Sequence, residues 1–342
     1  MGGGASTPAL AAAVAEAGGL GFLAAGYKSP AAVREDIEAL KSLTGRPFGV
    51  NLFAPPGSPA DGAAIAAFAA SLEPEADRYG TPVGAPKHDD DGWEAKLALV
   101  ASLEVPVVSF TFGCPEPQVI DALHDAGAVA WVTVTTPQEA RLAAEAGADA
   151  LVVQGAEAGG HRGSFDDGRP GEIGLLALLQ LVHPVTDVPM VATGGIATGR
   201  AVAAVLALGA AAAQLGTSFM LCPESATAPA HRAAIDSDTE TGLTRAFTGR
   251  LARGIANRWM AEHGDAPSAY PDVHHLTAGI RTAARERGDP DGFHLWAGEA
   301  HALAEPIPAG ELVRRLAAEA RAVLHGSSQA KEGASGPRSP AA

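Results

Sequence analysis

Three glycine-rich stretches hold the residues of this chain best suited to chemistry. Val152 to Ser164 reads VVQGAEAGGHRGS, Val191 to Arg200 reads VATGGIATGR, and Gln214 to Thr217 reads QLGT. In the first, the glycines allow backbone to lie against a flat ligand, and His161 sits among them with little apolar packing of its own. An imidazole titrates near neutrality, so His161 is the candidate for proton transfer or for polarising an anion. In the second, Gly194 and Gly195 let backbone N–H groups approach a phosphate, and a helix starting near Gly199 adds positive potential. The third stretch, Gln214, Leu215, Gly216 and Thr217, follows the next strand-like run. Two successive strand-to-helix loops of this kind build the phosphate site of a parallel barrel.

The elements that must position these residues follow a repeating pattern. Runs rich in Val, Phe, Ile and Leu alternate with Ala-rich helical stretches, which predicts strand–helix units and a parallel sheet. Seven such runs are present: residues 19–25, 47–53, 105–112, 128–135, 150–154, 189–193 and 212–221. Helix signals separate them. Thr136-Pro137 with Glu139 predicts a capping box closed by Gly147, and Thr7-Pro8 opens a helix that ends at Gly18-Gly19. Residues 58–93 form a long insertion, helical at 63–72. After about Glu224 the alternation fails, and residues 225–308, with a basic run at 244–259, are expected to form a helical cap. An amphipathic helix at 309–324 is expected to return to the barrel, residues 1–224 forming the barrel proper, and residues 325–342 are low-complexity and expected to be disordered.

Composition narrows the function classes. Of 342 residues 47% are apolar and 18% charged, enough for a full core. A formal net charge of -15 repels phosphate backbones and anionic lipid, which argues against nucleic acid as a partner. The uncharged stretch Ala201 to Pro223 is long enough to span a bilayer, but it is mostly alanine and is interrupted by Gly209, Gln214, Gly216, Thr217 and Ser218, so no membrane span is expected. Cys114 and Cys222 have neither disulfide-framework nor zinc spacing and read as thiols of a reducing cytoplasm.

The order MGGG, GGLGFLAAG, FGVNLF, QGAEAGGHRG, VATGGIATGR and QLGTSFM resembles the nitronate monooxygenases, over about residues 1–260, with QGAEAGGHRG the most specific element. The resemblance implies a (β/α)8 TIM-type barrel that binds FMN and oxidises alkyl nitronates, including propionate 3-nitronate, with molecular oxygen and no nicotinamide. It implies that Asn51, Gln154, Gly159, Gly195 and Gln214 to Thr217 contact FMN and that His161 is the active-site histidine. His161 would hold the nitronate or deprotonate a neutral nitroalkane, and His161, Arg162 and the basic run would supply the positive charge that an anionic substrate needs in an acidic protein. Glu299, in LWAGE, departs from the glutamine expected there.

Two other readings compete: a flavin-dependent enoyl-acyl-carrier-protein reductase using NAD(P)H, and a barrel that binds a phosphate ligand without turnover. The count of strands adds a structural expectation. Eight strand–helix units close a barrel and seven are present, the first helix having no strand before it. Met1 matches the methionine that ends that first strand in the family, so the natural chain is expected to begin upstream. A gap is expected between the strand near Gly21 and the one near Gln214, with Gly2 to Gly4 beside the flavin site.

Overall fold

The computed structural model describes residues 4–57 and 60–333. Ten strands follow one another along the chain: β1 (Gly21–Ala24), β2 (Phe48–Phe53), β3 (Val107–Thr111), β4 (Val129–Val134), β5 (Ala150–Gln154), β6 (Gly160–His161), β7 (Met190–Thr193), β8 (Ala212–Gln214), β9 (Thr241–Thr244) and β10 (Ala252–Ile255). Seven of them form one all-parallel sheet in the order β1-β2-β3-β4-β5-β7-β8, each joined to the next by a helix. This is the α/β barrel architecture with its closure incomplete. Among the described residues β1 pairs with β2 alone and β8 with β7 alone, which leaves the expected gap between them. Gly4 lines the cavity at the sheet's centre, whereas Gly2 and Gly3 lie outside the described residues.

The strands alternate between two environments. Leu151, Val153, Val132, Val108 and Val50 are all fully buried in the main core, beneath helices that contribute Ile37, Leu40, Ile120 and Leu179. Between them in sequence, Asn51, Ser109, Thr111, Thr133 and Gln154 face the other way and line the cavity. The seventh run is shorter than its sequence suggests: Gly216 stops the extended conformation, and Thr217–Phe219 turns into a single 3-10 turn.

Helix starts match their sequence signals. Thr7 caps Pro8–Glu16 by accepting from the Leu10 N–H, and Thr136 caps Pro137–Glu145 by accepting from the Glu139 N–H at 3.1 Å. The return half of the capping box differs. Glu139 reaches the N–H and hydroxyl of Thr135, one residue earlier, and also the Phe165 N–H, so it ties the helix to the loop after β5. The last helix, Ala309–Gly333, continues past the expected end at Leu324; residues 334–342 lie outside the described residues. Its Leu312 and Leu316 share a core with Leu10, so it covers the helix that leads into β1, and it packs more extensively still on Gly199–Ala207, which leads into β8.

The segment after residue 224 contains the expected helices, at Pro229–Ile235, Arg258–Glu262 and Asp272–Glu286, and also an antiparallel ribbon. β9 and β10 pair with each other, and β10 pairs with β6, with Ala252 opposite His161. The glycine loop after β5 is thereby stitched to the cap. A second core fills the cap, and helices Gly62–Ser71 and Glu73–Tyr79 of the early insertion join it through Ile65, Phe68 and Leu72, packing with Trp259, Leu276 and Ile280.

Candidate active site

One cavity of about 750 Å³ opens at the carboxyl ends of the parallel strands, and the three glycine-rich stretches meet there. Asn51, Gln154, Gly159, His161, Gly194, Gly195 and Gln214 to Thr217 all line it.

One end of the cavity is built from backbone. Gly194 and Gly195 have φ of 114° and 67°, a left-handed path that side chains resist, and a Cβ on Gly195 would meet Glu157 Cβ at 3.0 Å. That path carries the chain from β7 along the cavity wall. Among the described residues, the N–H groups of Gly195, Ile196, Gly216 and Thr217 donate to no other group of the chain. Gln214 Oε1 is buried and likewise unpartnered. Gly195 is exposed and Gly216 and Thr217 are half-buried, so these N–H groups face the cavity with no protein group competing for them and are open to a ligand's oxygens. The helix start at Gly199 does not contribute as expected: the Gly199 N–H donates to Glu319 Oε2 of the last helix at 3.0 Å, so a carboxylate already occupies that positive end.

Polar side chains continue the wall. Asn51 Nδ2 donates to Ser109 Oγ (2.9 Å) and Thr111 Oγ1 (3.0 Å), leaving Oδ1 as the amide atom available to a ligand. Gln154 has a positioning role in addition to lining the cavity. Its Oε1 accepts from the Gly163 N–H at 2.8 Å and its Nε2 donates to the His161 carbonyl at 3.1 Å, which sets the loop that presents His161.

The other end is built from side chains. His161 Nε2 lies 2.8 Å from Thr248 Oγ1. The Arg250 carbonyl lies 3.4 Å from the Thr248 hydroxyl, and in the tautomer that turns the hydroxyl toward it Thr248 accepts from His161 Nε2–H and Nδ1 is the basic atom. Phe112, Trp296 and Tyr270 surround the ring at 5.6, 5.4 and 6.2 Å between centroids. Burial, helped by the nearby Arg250 charge, pushes the imidazole down to about 3. It is a neutral base here and not a fixed cation. Phe112 itself holds a φ of 80°, unusual for a bulky residue, and it does so beneath the Arg250 guanidinium, which stacks over its ring at 4.1 Å.

The source of positive charge differs from the expectation. Arg162 is 1% exposed and donates to the carbonyls of Gln154, Gly155 and Gly171, so it holds the loop together from behind. Arg245 pairs with Asp167, Arg253 with Glu299, and Arg258 with Glu75 and Glu262. That pairing also places Glu299: its N–H donates to the Glu157 carbonyl and its carboxylate meets Arg253, outside the cavity lining. The cations that do line the cavity are Lys28, Arg281 and Arg285. Histidines 274 and 294, which local sequence gives no reason to single out, line it as well, as does His231. The signal that could have found them is the pairing of HLW, residues 294–296, with two arginines one helical turn apart at 281 and 285.

Comparison with known proteins decides what this cavity belongs to. Residues 1–319 match the family model for nitronate monooxygenase. The chain belongs to the nitronate monooxygenase family. Nitronate monooxygenase from Pseudomonas aeruginosa is 43% identical over 93% of this chain and 94% of its own length. The solved nitroalkane oxidase from Streptomyces ansochromogenes is 51% identical with a TM-score of 0.91, covering 95% of both chains. A lesser likeness, 27% identity and a TM-score of 0.73 over 96% of this chain and 93% of the other, is to FabK from Thermotoga maritima. Nitronate monooxygenases are flavin-dependent oxidoreductases, so this chain is an enzyme of that class. No described helix is long and apolar enough to cross a membrane.

The residues present fit a flavin nucleotide. A phosphate requires several N–H donors with no competing partner, and Gly195, Ile196, Gly216 and Thr217 offer them. A planar ring requires walls without protruding side chains. Gly159 provides one such place, where a Cβ would strike the Gly298 N–H at 2.4 Å.

Proposed function

We propose that this chain binds FMN and oxidises alkyl nitronates, such as propionate 3-nitronate, with molecular oxygen to a carbonyl compound and nitrite. The balance closes without a nicotinamide: two nitronates and one O2 give two carbonyl compounds and two nitrites. The observation that carries the reading is the row of unpartnered N–H groups beside the orphaned Gln214 Oε1, in the same cavity as a neutral, buried histidine. Gly194, Gly195 and Gln214 to Thr217 would hold the phosphate, with Asn51, Gln154 and Gly159 against the ring. The flavin, when bound, supplies the acceptor for the nitronate's electrons and the route to oxygen.

The protein's share is binding, orientation and proton transfer. His161, held by Thr248 and unprotonated, is in the state needed to receive the α-proton of a neutral nitroalkane, and the nitronate anion formed beside it would supply the counter-charge that burial and Arg250 otherwise deny the imidazolium. A preformed nitronate needs no such step. Phe112, Tyr270 and Trp296 exclude water from the reacting carbon and confine the substrate beside His161. Two free thiols, the half-buried Cys114 and the buried Cys222, together with the acidic composition suit a cytoplasmic enzyme.

The test mixes flavin-loaded protein anaerobically with NADH, NADPH and propionate 3-nitronate in turn while the flavin spectrum is followed. Reduction by the nitronate alone is the expected result. Rapid bleaching by a nicotinamide would overturn the reading in favour of a reductase, and full flavin loading with no reaction toward any of the three would favour a binding protein.

A further inference from the structure

Beyond Trp296 the cavity holds a charge arrangement that the reaction above does not use. The Trp296 ring touches both His161, edge-on at 5.4 Å between centroids, and His294, stacked at 5.1 Å. His294 is in turn flanked by two guanidinium groups. Arg281 Nη1 stands 3.2 Å from His294 Nδ1, and Arg285 Nη2, from the next turn of the same helix, 3.2 Å from His294 Nε2.

A neutral imidazole has one acceptor nitrogen and one N–H, and a guanidinium only donates. Burial and the two arginines keep His294 neutral, so one of the two contacts sets N–H against N–H. The remaining bonds of Arg281 go to neutral groups: Thr277 Oγ1, His274 Nδ1 and the His274 carbonyl. Arg281 is 6% exposed, yet among the described residues neither it nor Arg285 has a carboxylate partner. A buried cation without a counter-ion is costly, and this chain has thirty-nine acidic residues from which one could have been placed. The arrangement is one that an incoming acceptor of negative charge would complete.

We propose that Arg281, Arg285 and His294 form a subsite for an anionic group, a carboxylate or a phosphate, on the tail of the substrate, so that the enzyme selects nitronates carrying a second negative charge. This rests on the nitronate reading and assigns the specificity of the same cavity to the cap. The reacting carbon sits beside His161, and the tail reaches past the Trp296 indole to the paired arginines.

The experiment compares propionate 3-nitronate with propyl 1-nitronate, which has the same chain length and no carboxylate, on the FMN-loaded protein. Charge-assisted bonds of this kind are expected to lower KM for the carboxylate-bearing substrate by about tenfold or more. Arg281→Met is expected to raise KM for propionate 3-nitronate about tenfold more than KM for propyl 1-nitronate, which removes that advantage; Arg281→Lys should retain part of it, and Arg285→Gln should reduce it more mildly. Equal KM for both substrates in the unaltered protein, or equal losses on both in Arg281→Met, would overturn the subsite. A second arm needs no variant. Succinate, inorganic phosphate and uncharged succinamide are tested as inhibitors of propyl 1-nitronate oxidation. Competitive inhibition by either anion and none by succinamide is the expected result, and which anion inhibits identifies the tail chemistry. Inhibition by neither anion would overturn the proposal. If the protein oxidised neither nitronate, the reaction assigned above would fall by itself, and calorimetric titration of the unaltered and Arg281→Met proteins with succinate would still decide the subsite: saturable binding lost in the variant supports it, and no binding overturns it.

Discussion

The two ends of the cavity are made of different material. The end formed by Gly194 to Ala197 and Gln214 to Thr217 presents backbone N–H groups, which neither titrate nor change rotamer, fixed by strands β7 and β8. The end around His161 presents side chains from distant parts of the chain: Phe112 after β3, His161 in β6, Thr248 between β9 and β10, and Arg281 and Trp296 in the cap, with Tyr270 packed behind His161 and Phe112. A cofactor with one invariant phosphate is served well by a rigid backbone site. A substrate is discriminated by shape and charge, which side chains on a separately packed cap can vary without disturbing the barrel. The cap's own core, with Trp259, Leu276 and Ile280, permits that independence.

Substitutions at the two ends should therefore fail differently. The largest effect is expected from Gly195→Asp, which adds a side chain at a φ of 67° and a negative charge where the phosphate would sit. Flavin content on purification should fall to below about a tenth of stoichiometric, with all activity lost. A protein that still held its full complement of FMN would move the cradle elsewhere.

At the other end, His161→Ala should leave flavin binding intact and lower turnover of neutral nitroalkanes by about 10²- to 10⁴-fold, with a much smaller loss on preformed nitronates. Equal losses on both would make His161 a binding residue only. Thr248→Val tests the tautomer: without an acceptor for Nε2–H the imidazole loses its orientation, so nitroalkane turnover should fall about tenfold while nitronate turnover and flavin content hold. Should the variant lose both substrates in parallel, Thr248 would be structural rather than a positioning residue.

The smallest effect separates the ends by pH. Burial pushes His161 down to about 3, His231 to about 4 and His274 to about 2, with His294 also well below its ordinary 6.5. The unfolded chain takes up these protons as pH falls below about 6.5, whereas the folded chain does not until far lower, so this contribution to stability is present above pH 6.5 and is lost as pH falls through the window beneath it. Thermal melting should drop by roughly 5 °C or more between pH 7 and pH 5. Replacing His274 with glutamine should flatten that slope; an unchanged slope would show that other groups govern it.

Particular residues show how far sequence alone reaches. Gly194-Gly195, QLGT and the glycine loop around His161 were legible because a left-handed turn at the end of a buried strand requires glycine, and that requirement is local. The seven strands were legible for the same kind of reason, since the short apolar runs between helical stretches mark the face that the helices cover, and the polar residues among them, such as Asn51 and Gln154, mark the face that lines the cavity. The expected barrel came with its missing closure, because counting strand–helix units needs no coordinates. The role of Arg162 was not legible: a cation beside the candidate histidine looks like part of the site, and only the fold turns it away to bind three carbonyls. Nor was Gly199, whose helix start is met by Glu319 from 120 positions later in the chain.

Sequence by itself thus determined the barrel and the three glycine-rich stretches that line its cavity, all of which follow from propensities acting over a few residues. The tertiary structure decided which charges face the cavity. Arg281, Arg285, His274 and His294 have nothing in their own segment to single them out, and they come to line the cavity in a fold where β10 pairs with β6 and ties the cap to the glycine loop. Charge acts through space over several ångströms, so the partners of an arginine cannot be read until the chain has folded back to supply or withhold them.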